Sequence, residues 1–174
     1  MDFEEYKLEG KTLIGINSTV AMRDVIDPIA TLVTNILKSG SKVDVVFFGT
    51  DIIKFEPDVK KLEPKQIEAQ IKLHLSSPTA EPLFVMQHAV QQSKTYNRFI
   101  IFSDIGAWVE KAYSMSINDW FRKYVKFFNI ESYVYAIDVR NPDVKDTTPE
   151  DRVFNIGGFP SDLLGFIRDK ESNK

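Results

Sequence analysis

Asp104 and Asp138 carry the clearest chemical potential in this chain. Each follows directly on an apolar run, Phe99-Ile-Ile-Phe102-Ser and Tyr133-Val-Tyr-Ala-Ile137. Two carboxylates leaving neighbouring strands at one end of a sheet suit acid–base work or metal chemistry. The plainer reading of each is a turn, with Asp104 capping backbone N–H groups and Asp138 starting the Asp-Val-Arg-Asn-Pro turn. His74 and His88 fall on apolar helical faces. They lack a cysteine or a close second histidine, so each reads as a partly buried, satisfied side chain rather than a metal ligand. No Gly-x-Gly-x-x-Gly follows the first apolar run, and neither Gly-Lys-Ser/Thr nor Gly-x-Ser-x-Gly occurs. Dinucleotide, P-loop and nucleophile-elbow chemistry are thereby set aside.

Such carboxylates matter only if the elements around them place them. Phe99 to Phe102 is short, aromatic and β-branched, and reads as a strand buried on both faces of a helix-covered parallel sheet. Thr12 to Ile16 is a first strand ending in the turn-formers Asn17-Ser-Thr19. Ile26, Ile29, Val33, Ile36 and Leu37 recur at helical spacing over 25–37, and Gly40 stops that helix. Val43 to Phe48 is a second strand, turned by Gly49-Thr-Asp51 into an antiparallel edge strand at Ile52–Phe55. Pro64 opens a helix through Ile67, Ile71 and His74. Pro82 opens another, carried to Tyr96-Asn97. Ser116-x-x-Asp119 resembles a capping box before a helix with Phe121, Tyr124, Val125 and Phe128 on one face. Ser132–Ile137 and Val153–Ile156 complete the strands, and Ser161 is expected to cap a last helix.

The order β-α-β-β-α-α-β-α-β-β-α predicts an α/β fold: a doubly wound, mostly parallel six-stranded sheet with helices on both faces and one antiparallel edge. With strand order 3-2-1-4-5-6, the topology reverses between strands 1 and 4, and ligands bind beyond the carboxyl ends there. Asn17-Ser-Thr-Val-Ala21, the Pro78-Thr79 loop and Asp104 would then converge on one crevice.

The 174 residues suit a single domain over 1–174, with 1–10 and 169–174 expected to be loose ends. Hydrophobic residues make up 43% and charged residues 27%, a globular rather than disordered balance. A formal charge of −3 gives no general attraction to DNA, RNA or anionic membrane. Arg122, Lys123 and Lys126 make a local basic face that reads first as solvated surface, with a partner or RNA patch as the alternative. The absence of cysteine excludes disulfides and thiol nucleophiles. An acidic start without an apolar leader, and no run near the roughly 20 residues of a membrane span, lead to the expectation of a cytoplasmic protein.

The stretches Leu13–Met22, Pro78-Thr79, Phe99–Trp108, Tyr133–Asp138 and Val153–Phe159 with Ser161-Asp-Leu-Leu resemble, in order, a von Willebrand factor A (vWA) domain. The likeness is to the vWA domain of Ro-type (TROVE) ribonucleoproteins in particular. In that family Asp-x-Ser-x-Ser after the first strand, a Thr from a middle loop and an Asp after strand four form a metal-ion-dependent adhesion site for Mg²⁺ and a partner's acidic residue. The resemblance makes Thr19, Thr79 and Asp104 the metal candidates. Asn17 stands where the family has Asp, and Ala21 stands where it has the second Ser. Mg²⁺ favours hard oxygen ligands with carboxylate charge, so the expectation is weakly held Mg²⁺ or none.

The implied role is non-catalytic: docking of another protein or larger assembly on loops 17–23, 76–81 and 104–115. Asn17, Thr19, Thr79, Asp104 and Trp108 are the expected partner-binding residues. One alternative is a Ro-like ribonucleoprotein component touching RNA only indirectly. The other is a metal-dependent hydrolase built on Asp104 and Asp138.

Overall fold

A computed structural model describes residues 3–104, 117–143 and 152–172. The strands are β1 (Lys11–Asn17), β2 (Lys42–Phe48), β3 (Ile52–Phe55), β4 (Arg98–Ser103), β5 (Tyr133–Asp138) and β6 (Val153–Gly157). The helices are α1 (Ile26–Lys38), α2 (Pro64–Leu73), α3 (Leu83–Gln91), α4 (Ile117–Phe128) and α5 (Leu163–Ser172). The six strands form one sheet in the order β3-β2-β1-β4-β5-β6. Every pairing is parallel except β2 with β3, where Phe48 faces Ile52 across the short turn. The doubly wound α/β fold expected from the apolar runs is the fold observed.

Alternation along the strands sorts their side chains to two faces. Ile14, Ile16, Phe47, Ile100, Phe102, Tyr135 and Ile137 pack with α1, α2 and α5 on one. Leu13, Val46, Phe48, Phe99, Ile101 and Val134 pack with α3 and α4 on the other. Central β4 is buried along its whole length, which explains its unbroken apolar run. Gly15 has a specific reason to be small: a Cβ there would lie 2.7 Å from Val85 Cγ2, so α3 rests directly on the β1 backbone. The chain crosses from one face to the other between α2 and α3. Leu75 belongs to the first core and Ala80 packs on the second, so residues 75–80 run over the end of the sheet.

Several boundaries differ from the periodicity. The helix expected to reach Tyr96-Asn97 stops at Gln91. Ser93 takes a left-handed φ of 52°, Ser93 N–H bonds the Val90 carbonyl and Lys94 N–H bonds that of Ala89. This is a Schellman stop with serine in the place glycine usually holds, so no glycine marks it in the sequence. The last helix is capped by Asp162 rather than Ser161, its Oδ1 accepting the Gly165 N–H at 2.8 Å. That helix also runs past Asp169 to Ser172, where a loose end was expected. Glu171 holds it, because its carboxylate takes Arg98 Nε at 2.7 Å and Nη2 at 2.6 Å. Leu8 is likewise buried within the expected loose start, its N–H bonded to Ser41 Oγ at 2.9 Å. Ser116, of the expected capping box, lies outside the described residues.

Candidate functional site

The strand register places a polar row at the carboxyl end of the sheet. Phe102 pairs with Ile16 and Ser103 with Asp138, so Asn17, Ser103 and Asp138 follow one another across β1, β4 and β5. By alternation all three stand on the α3/α4 face, beyond its last apolar side chains. Their exposures are 0%, 0% and 1%. Buried polar groups at such positions need partners, and the loops that leave the strands supply most of them.

Asn17 is the hub. Its Nδ2 donates to Ser103 Oγ at 3.1 Å and to Asp104 Oδ1 at 2.8 Å, while its Oδ1 accepts the Thr19 N–H at 2.8 Å. Because a backbone N–H can only donate, that third bond fixes which end of the amide faces Asp104. Asp138 Oδ1 accepts the N–H groups of Arg140 and Asn141, both at 3.2 Å, so Asp138 does shape the turn that follows it. Its Oδ2 and the Thr19 hydroxyl are buried and find no hydrogen-bond partner among the described residues. Burial pushes the Asp138 carboxyl up, the two N–H groups pull it back in part, and Asp104 adds to the rise.

Two features beyond the residues singled out from the sequence complete the arrangement. Arg140 reaches from the end of β5 across β4 to the turn after β1. Its guanidinium grips the Asp24 carboxylate and the Ala21 carbonyl, and its Nε lies 3.9 Å from Asp104 Oδ2. The hydrogen bond to Arg140 holds the Asp24 carboxyl below the usual range, and Asp24 in turn raises Arg140. Arg140 looked like part of a polar turn; only the β1–β4–β5 adjacency brings it near Asp24.

The second addition is a seam of serines. Ser77 N–H bonds the Ser18 carbonyl at 2.9 Å, Val20 N–H bonds that of Ser77, and Thr50 N–H bonds Ser77 Oγ at 3.0 Å. Ser18 Oγ donates to the Phe48 carbonyl at 3.0 Å. Gly49 must be small here, since a Cβ would sit 2.3 Å from Ser77 Oγ and 2.5 Å from Ser18 Oγ.

The structure therefore brings Asn17, the Thr19 backbone and Asp104 together. It joins the 76–79 loop to them through Ser77 rather than Thr79. Thr79 is exposed, and its carbonyl accepts from Ser77 Oγ at 2.8 Å. Trp108 lies outside the described residues. His74 stacks on Phe47 at 4.3 Å with its Nδ1 2.9 Å from the Gln70 carbonyl, a packed and satisfied ring. His88 is half-buried, and burial draws its imidazole down.

These donors do not fit Mg²⁺, which needs several oxygens converging near 2.1 Å on one point. The Asn17 oxygen is committed to a backbone N–H, its nitrogen faces Asp104, Ala21 has no side-chain oxygen, and a guanidinium stands beside Asp104. Among the described residues no group of three or more histidine, aspartate or glutamate side chains is placed to hold an ion.

No protein-family model matches the chain, and no curated protein matches it either. Solved structures do match in fold. A crystal structure of the Deinococcus radiodurans Ro (RSR) protein aligns over 92% of this chain with a TM-score of 0.72 and 8% identity. The chain spans 34% of that protein's length. Proximal thread matrix protein 1 from the mussel byssus aligns over 94% in two crystal structures, with TM-scores of 0.51 and 0.53 and 13% and 14% identity. It is 47% covered in both. At such identities the likeness is one of fold. None of the described helices is long and apolar enough to cross a membrane.

Proposed function

We propose that this chain is a non-catalytic docking module of vWA type, binding a partner protein on the loops at the carboxyl end of its sheet. The observation that carries this reading is the sewn surface itself. Residues 17–24, 76–79 and 138–141, from three distant parts of the chain, are held by the Asn17, Ser77 and Arg140 hydrogen bonds. Rigid loops on a sheet scaffold suit recognition. Val20, 49% exposed, presents an apolar side chain at their rim. Beneath it the Asn17 amide, Ser103 Oγ, Asp104 Oδ1 and Asp138 Oδ1 are engaged in hydrogen bonds that shape the loops, which suits a recognition surface better than a catalytic pair. The similar folds bear names as unlike as a Ro protein and a byssus matrix protein, so fold likeness does not choose the partner.

Site-specific photo-crosslinking tests the reading. A crosslinker at position 20 should trap a defined partner. The same group at position 127, exposed on α4 at the other end of the sheet, should not. Trapping from position 127 alone would place the docking surface elsewhere. The resemblance of the sequence stretches to Ro-type vWA domains suggests one second reading, a ribonucleoprotein component that meets RNA through a protein partner. Direct phosphate contacts would show as a steep salt dependence of RNA binding; the indirect role predicts no such binding by the isolated chain.

A further inference from the structure

The polar end of the sheet is arranged around a cation that the chain itself provides. Four oxygens face the Arg140 guanidinium: both of Asp24, the Ala21 carbonyl and Asp104 Oδ2. They come from the turn after β1 and the end of β4, and they are spread around a planar fork. That geometry suits the five donors of arginine and not a spherical ion.

Asn17 is the matching half. A carboxylate at position 17 would add a second negative charge beside Asp104. The amide instead donates to Asp104 Oδ1 at 2.8 Å and leaves Oδ2 to Arg140. Arg140 is also aimed rather than loose. Its N–H is fixed by Asp138 Oδ1, and the neighbouring Val139 N–H bonds the Ser103 carbonyl at 2.8 Å.

We propose that Arg140 is the resident cation of these loops, a tethered guanidinium that supplies beside Asp104 the positive charge a divalent ion would otherwise bring, so that the loops are held together without metal. Asn17 and Arg140 act as a pair: the first removes the charge that would call for an ion, and the second supplies the positive charge that remains necessary. This concerns what holds the loops together. It stands or falls separately from whether a protein docks on them.

Binding of Mn²⁺, followed by the electron paramagnetic resonance signal of the free ion, tests it on wild type, Asn17→Asp, Arg140→Ala and the double variant. Wild type and Asn17→Asp should show no saturable site at millimolar Mn²⁺. The double variant, with two facing carboxylates and no guanidinium, should bind at least about tenfold more tightly than either. Saturable binding by wild type that Asp104→Asn abolishes would overturn the proposal. So would equal binding by Asn17→Asp with and without Arg140, or no binding by the double variant.

If Asn17→Asp fails to fold, the ¹⁵Nε–H resonance of Arg140 in the wild-type protein decides. The proposal requires it to shift in Asp104→Asn. A resonance at the position of a free arginine, unmoved by Asp104→Asn, would overturn it.

Discussion

Asn17 turns its amide nitrogen towards Asp104 because its amide oxygen is committed to the Thr19 N–H. Replacing it by alanine strands a buried serine hydroxyl, one oxygen of Asp104 and a backbone N–H at once. The expected loss is about 2–3 kcal/mol in urea unfolding at neutral pH. A second residue-scale prediction concerns Asp44. Burial pushes its carboxyl up, but the hydroxyl of Tyr96 at 2.6 Å and Lys94 at 3.0 Å outweigh that, and it lies below the ordinary value. Its contribution to stability is present above the unfolded carboxylate range and lost as pH falls through the depressed native value. Tyr96→Phe should therefore raise the Asp44 carboxyl in a ¹³C NMR titration. It should cost about 1 kcal/mol at neutral pH, screened by solvent, with the gap to wild type closing on acidification.

The elements depend on a few contacts that join distant chain segments. Arg98, buried at the start of β4, donates to Glu171 on α5 and to Thr12 Oγ1 at 2.8 Å, and Tyr135 donates its hydroxyl to the same glutamate at 3.1 Å. Glu171→Ala leaves a buried guanidinium without its counter-charge and should cost about 3–5 kcal/mol. Arg98→Met in the same chain should recover most of that in a double-mutant cycle. On the other face, Gly15→Ala sets a methyl against Val85 and should cost about 1–3 kcal/mol. The loss would be read from the thermal midpoint and from increased amide exchange in α3. The strands and the helix faces were legible from apolar runs and spacing, because local periodicity reports burial directly, and the strand order followed from the doubly wound pattern those elements form. The ends of α3 and α5 were not. Ser93 takes a conformation usually left to glycine, and Glu171 is held by a partner 73 residues away.

For the molecule as a whole, the sheet order made part of the site legible: once β1 and β4 are neighbours, Asn17 and Asp104 must meet. The share of Arg140, Asp24 and Ser77 was hidden, since none carries a motif and only the crossings at 75–80 and after β5 bring Ser77 and Arg140 to the turn after β1 that ends at Asp24. The resulting surface is a set of loops tied by one amide, a seam of two serines and one arginine.

Affinity capture from cells, run with wild type in Mg²⁺, with wild type in a chelator, and with Val20→Arg, tests the central claim most directly. The account predicts one defined partner, retained equally in Mg²⁺ and chelator and lost with Val20→Arg, which alters the rim without touching the Asn17 network. A partner released by the chelator, or one held undiminished by Val20→Arg, would contradict it.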